Sequence, residues 1–226
     1  WMGYRWATGG KVDPFDFCVL VGFVTLALGV FGFSRLWIYL VQGRHVRRQQ
    51  RLIDRGMAAY ESEDYDAALR FFREYQDDPK SGEDWRIQLW IGVCLEYQGK
   101  YREALDAFER ALAINPNSSD AMQLVAYLLA CAPQEELRNG ERALALAQEA
   151  CQMENDADWR AFTIVAAAQA ELGQFDDAVA TYRKAMSLMP EDEREKRVES
   201  LQKLQAGQPL RFPEEDRRKR DTGSAT

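Results

Sequence analysis

Histidine is nearly missing from this 226-residue chain: His45 is the only one. A single imidazole excludes a two-histidine zinc site and leaves His-based acid–base chemistry without a partner. Cysteine is sparse, with four residues and no Cys-x-x-Cys pair, which does not fit a disulfide scaffold. A phosphate-binding loop is missing as well. Gly10-Lys11-Val12 and Gly99-Lys100-Tyr101 lack both the Gly-x4-Gly spacing and the hydroxyl that such a loop needs. Nucleophilic catalysis by a cysteine would require a nearby base, and His45 is far in sequence from Cys94, Cys131 and Cys151. Paired carboxylates such as Asp77-Asp78 and Asp176-Asp177 fall at turns or helix starts, where capping and solvation account for them. No strand-rich segment stands out. The expectation is a protein with no catalytic residue, no metal ligand and no cofactor.

The net charge of −7 averages two unlike parts. Residues 1–56 carry eight Lys/Arg against three Asp/Glu, while the remainder carries 21 against 33. In the basic part, Phe17 to Ser34 holds no charge and no proline, and apolar character resumes after Arg35 through Val41. A bilayer is crossed by about 20 residues of helix, so residues 17–41 read as one transmembrane helix. Arg35 would snorkel near an interface, where Trp37 and Tyr39 also belong. The run is longer than a signal-peptide core and its basic residues follow it. Arg44, Arg47, Arg48, Arg51 and Arg55 after the run outnumber Arg5 and Lys11 before it. That bias puts the N-terminus outside and the remainder in the cytoplasm of an inner or plasma membrane, the basic flank facing anionic lipid. Three unpaired cysteines beyond the span agree with a reducing compartment. The chain begins at Trp1 rather than Met, which reads as a processed or truncated start; an upstream basic segment would reverse the orientation.

Within that helix Cys18, Gly22, Thr25, Gly29 and Gly32 are spaced by 4, 3, 4 and 3 residues. They fall in a stripe about 80° wide, the kind of small-residue face on which another transmembrane helix packs. The competing reading is chance alignment, because glycine is common in membrane helices.

Beyond the span the sequence repeats itself. Gly92, Gly99, Tyr101, Ala104, Phe108, Ala111 and Pro116 match Ala166, Gly173, Phe175, Ala178, Tyr182, Ala185 and Pro190 at every spacing. Asp84-Trp85-Arg86 is echoed by Asp158-Trp159-Arg160. The spacing describes a helix, a Gly turn, a second helix with small residues at the crossing and a terminating Pro, repeated over about 34 residues. A weaker unit places Gly56, Tyr65, Ala68 and Phe72 in the same pattern, with Glu63 at the Gly turn position. A third expects a first helix from about Asp120 to Ala132, a longer turn after Pro133, and a second helix opened by Asn139-Gly140 with Ala143, Ala147 and Ala150 inward.

On these residues the chain resembles the tetratricopeptide-repeat family over most of residues 49–192. The string Leu128-Leu129-Ala130-Cys131-Ala132-Pro133, with Leu137-Arg138-Asn139-Gly140, resembles a long-turn variant of bacterial multi-repeat proteins. The resemblance implies a right-handed superhelix whose concave face, built from first helices, receives a peptide or helix. In that register the face carries Ile53, Met57, Tyr60, Arg86, Leu89, Val93, Glu96, Tyr97, Gln123, Tyr127, Arg160, Thr163, Ala167 and Glu171. The competing reading for any one of them is cover by a neighbouring helix. Family members that clamp a C-terminal carboxylate carry Lys and Asn where this chain has Leu89, Val93, Thr163 and Ala167, which disfavours that ligand.

The fold class expected is all-α: one N-terminal transmembrane helix, then a superhelix of about four repeats closed by a capping helix. The segments are 1–16 extracytoplasmic, 17–41 transmembrane, 42–48 a basic linker, 49–206 the repeat domain and 207–226 a disordered tail. The repeats are placed at about 49–82, 85–118, 119–158 and 159–192, with a cap over 193–206 bearing Val198, Leu201 and Leu204 on its apolar face. Within the tail, Gln208 to Pro213 reads as extended. The run Arg217 to Arg220 follows three acidic residues and reads as solvated rather than as a nucleic-acid site. The function expected is an adaptor or scaffold holding a partner protein at a membrane. The alternative is an accessory subunit of a larger membrane complex.

Overall fold

A repeated local device starts and stops these helices. In the computed structural model, which describes residues 45–79, 83–153 and 158–212, residues at helix starts accept a hydrogen bond from their own first turn. Asp84 takes the amide of Arg86 at 3.0 Å, Asp158 that of Arg160 at 3.0 Å, Ser118 that of Ala121 at 3.2 Å and Asp64 that of Ala67 at 2.9 Å. Each satisfies a donor that the helix start leaves without a partner. The echoed Asp-Trp-Arg tripeptide is thus a cap followed by the first two helical positions.

The chain divides into units Trp1–Arg51 and Leu52–Thr226. The described part of the first, residues 45–51, is helical. The second contains α1 (residues 52–61), α2 (Tyr65–Gln76), α3 (Trp85–Tyr97), α4 (Tyr101–Ile114), α5 (Ser119–Cys131), α6 (Gly140–Met153), α7 (Trp159–Glu171), α8 (Phe175–Leu188), α9 (Glu191–Lys196) and α10 (Val198–Gln205). It has no strand among the described residues. No described helix is long and apolar enough to cross a membrane. The expected span 17–41, with its stripe of Cys18, Gly22, Thr25, Gly29 and Gly32, lies outside the described residues.

Helices pack as consecutive pairs, α3 on α4, α5 on α6 and α7 on α8, and each pair stacks on the next. The turns inside three pairs share one geometry. The chain leaves the first helix through a left-handed residue, Gly99 at φ 73°, Gly173 at φ 77° and Glu63 at φ 61°. In each case the next amide bonds back to a carbonyl five residues earlier, at 2.9 Å. Glu63 therefore sits where glycine belongs. Left-handed backbone costs a residue with a Cβ about 1–2 kcal/mol, partly offset by the extra chain entropy that glycine loses on folding. Glu63→Gly is expected to raise the stability of the domain by about 0.5–1 kcal/mol and Gly173→Ala to lower it by a similar amount. A Cβ at Gly173 would meet nothing within 4 Å, so backbone strain alone sets that second cost. Denaturant midpoints of the two variants check both signs.

The long turn of the third repeat is built as expected up to its detail. Ala132 ends α5, a 3-10 turn runs over Glu135–Leu137, and the Leu137 side chain is buried beneath it. Asn139 accepts from the Arg142 amide at 3.0 Å and opens α6, whose Ala143, Ala147 and Ala150 are fully buried. The cap departs from expectation. It is two short helices rather than one, broken at Arg197 (φ −109°, ψ 4°). Leu204 is fully buried against α8, but the break turns Val198 outward. Arg194 anchors the cap by donating to the carbonyls of Met186 at 3.0 Å and Met189 at 3.1 Å, filling acceptors that the end of α8 leaves open.

Candidate interaction groove

Three first helices, α3, α5 and α7, and the cap enclose a groove of about 550 Å³. Its walls start from the caps already described. Placing Trp85 and Trp159 directly after capping aspartates puts both indoles at the helix starts, on the groove's rim, with Trp90, Leu89, Val93, Leu124 and Ile164 forming the apolar floor. Each rim tryptophan carries a guanidinium. Arg86 lies 5.9 Å from the Trp85 ring centroid, and Arg160 and Arg197 lie 5.0 and 4.9 Å from that of Trp159. These cation–π contacts hold the indoles in place while Arg86 and Arg160 stay largely exposed. Gln123 is buried at the centre and donates through Nε2 to Asp158 Oδ2 at 3.2 Å. One aspartate thereby caps α7 and ties it to α5.

Of the residues that sequence register assigns to the concave face, Arg86, Leu89, Val93, Gln123, Tyr127, Arg160 and Thr163 line this groove. Others sit elsewhere. Tyr60 packs edge-on against Tyr65, Trp90 and Tyr97 at centroid distances of 5.8, 5.3 and 5.8 Å, and Tyr97 stacks on Tyr65 at 4.7 Å. This cluster joins the first two repeats, and burial raises the Tyr60 hydroxyl well above the usual phenol range. Ile53 and Met57 pack on the hydrophobic core, and Ala167 lies inside the stack rather than on its face. Glu96 is half-buried and outside the groove lining. Trp85, Trp90, Asp120, Leu124, Trp159, Ile164 and Arg197 complete the lining without having been assigned from register. The tripeptide echo contained the signal for Trp85 and Trp159. Arg197 comes from the cap, which carries no repeat period.

Glu171 belongs to a second site at the far end of the concave face. It accepts from Arg138 Nε at 2.9 Å and pairs with Arg211. Arg211 Nη1 also donates to the Ala130 carbonyl at 3.2 Å, and the Phe212 amide donates to the Cys131 carbonyl at 3.1 Å. The Phe212 ring stacks on Tyr101 at 5.2 Å and meets Tyr127 edge-on at 4.8 Å. The boundary of the tail expected at 207 is corrected by these contacts. Gly207 (φ 68°) ends α10, and residues 208–212 run extended and packed, because Leu210 and Phe212, two residues apart, both find apolar surface. Beneath them burial pushes the Cys131 thiol up to about 12, and elsewhere in the core burial pushes that of Cys94 to about 12. Neither is a thiolate at neutral pH. Among the described residues, no group of three or more His, Cys, Asp or Glu side chains is placed to hold a metal ion.

Two tetratricopeptide-repeat family models match the chain, over residues 53–119 and 160–192. A thermophilic TPR protein of Thermus thermophilus is similar in structure, with a TM-score of 0.57 and 22% identity over 70% of this chain and 83% of that one. The protein MamA of Desulfovibrio magneticus, solved from residue 41 to its end, gives a TM-score of 0.55 and 18% identity over 70% of this chain and 94% of that one. At these identities the likeness is one of fold. No curated protein matches the sequence.

Proposed function

We propose, for a chain that belongs to the tetratricopeptide-repeat family over residues 53–119 and 160–192, that its concave groove holds an apolar segment of a partner protein, with no chemistry performed on it. The observation that carries this reading is the tryptophan-walled groove. Trp85, Trp90 and Trp159 stay accessible in a cleft whose rim arginines lie on the indoles, and aromatic and Arg anchors in a desolvating pocket are the side chains that dominate binding energy. About 550 Å³ suits a few side chains of a helix or extended peptide, not a whole domain surface. Residues 17–41 are read as an anchor that presents the repeats to the cytoplasm. The support is an 18-residue run without charge or proline and the arginines that follow it. Deleting that run should release the chain into the alkaline wash of isolated membranes.

Trp159→Ala tests the groove. A partner that co-purifies with the chain after gentle solubilisation of native membranes should be recovered at least tenfold less with the variant, since a central tryptophan contributes about 2 kcal/mol or more. The thermal midpoint of the domain should fall while the transition stays cooperative, because the partly buried indole also packs against the core, so recovery is compared well below that midpoint. Undiminished recovery would overturn the assignment of the groove.

A further inference from the structure

We infer that the Glu171 end of the concave face is a second cleft, specific for an extended segment presenting an arginine followed by an aromatic residue, and that residues 208–212 of this chain fill it in cis. The inference rests on the reading that the concave face receives a partner, and it names the pattern this end accepts. Each feature of the cleft is a demand that a short peptide can meet. The last carbonyls of α5 have no donor within their own helix, and here Ala130 and Cys131 take theirs from the Arg211 guanidinium and the Phe212 amide. The same helix end carries partial negative charge, and beside it Glu171 presents Oε2, the oxygen that Arg138 does not take, so the position accepts a cationic donor. Arg138 already holds Glu171 from the opposite side at 2.9 Å, which keeps the carboxylate in place when Arg211 leaves. The slot between Tyr101 and Tyr127 takes one flat ring. Tyr127 also lines the tryptophan groove, so the two sites share a wall. A partner long enough to run past Tyr127 meets the chain's own Arg-Phe and must displace it or stop short.

A segment attached in cis competes at an effective concentration of about a millimolar, so the wild-type chain masks the cleft against weaker ligands in trans. The test uses the full chain and a fluorescein-labelled synthetic peptide with the sequence of residues 208–213, followed by fluorescence anisotropy to millimolar concentration. The Arg211→Ala/Phe212→Ala chain should bind the peptide saturably, and the wild-type chain at least tenfold more weakly. A peptide with Ala in place of its Arg and Phe should bind neither. Equal binding by the two chains, or none by the double variant, overturns the inference. If the double variant fails to keep its thermal transition, Arg211→Ala alone replaces it, with the same direction of change expected. Trp159→Ala should leave peptide binding unchanged. A chain that fails to bind the peptide yet loses its partner on Trp159→Ala would overturn this inference and leave the proposed function standing.

Discussion

Phe108→Ala lowers the unfolding free energy of the repeat domain by about 3–5 kcal/mol, a large part of the 5–15 kcal/mol of a typical domain. The ring is fully buried on α4 and lies where α4 crosses α3. Its removal leaves a cavity that the crossing cannot close, because Gly92 on the facing helix has no side chain to move into it. Repeats derive their stability from neighbours as much as from themselves, so a weakened second repeat also loosens the first. The denaturant midpoint falls accordingly, while an exposed substitution on the same helix, Glu103→Ala, changes the unfolding free energy by about 0.5 kcal/mol or less.

Gly92→Leu attacks the same contact from the other side and costs about 3 kcal/mol or more. Even a Cβ at Gly92 would lie 2.4 Å from Phe108 Cε1 and 2.5 Å from Cδ1, with no flexible side chain to yield. Gly56 and Phe72 repeat the arrangement at 2.5 Å in the first repeat. At the corresponding positions the third repeat uses Ala126 against Ala147, both fully buried. The fourth repeat sets a methyl against a ring, Ala166 with Tyr182, both buried, so each crossing has its own clearance. Adding Phe108→Ala to Gly92→Ala should therefore cost less than the sum of the two single changes, and a double-mutant cycle on unfolding free energies reads that coupling directly.

What the sequence reported well was whatever has a period. Small residues at the crossings, glycine at two turns, aspartate before two tryptophans and three inward alanines after Asn139-Gly140 each act within one repeat. A spacing rule captures them because burial within a helix pair follows the helical repeat. What it reported poorly depends on the rotation between repeats. Tyr60, Tyr97 and Met57 occupy concave positions by register, yet an aromatic cluster between the first two repeats takes up the tyrosines and Met57 packs on the core. Arg197 reaches Trp159 only because the cap breaks beside it. Phe212 shows the limit most clearly. A lone aromatic in a polar terminal stretch has no period, so nothing local distinguishes it from a solvated residue. Its partners Tyr101, Tyr127 and Cys131 are far away in sequence. Glu63 was visible as a departure from the turn pattern, and its positive φ shows that the fold imposed the turn regardless.

The central claim is that the tryptophan-walled side of the concave face holds a partner protein. A photo-crosslinking amino acid placed at Leu89, which lines the groove, and in a separate chain at Glu103, exposed on α4, tests it in intact cells. An adduct to a second protein is expected from position 89, lost when Trp159→Ala is added, and none from position 103. An adduct from position 103 alone, or one from position 89 that survives Trp159→Ala undiminished, would contradict it.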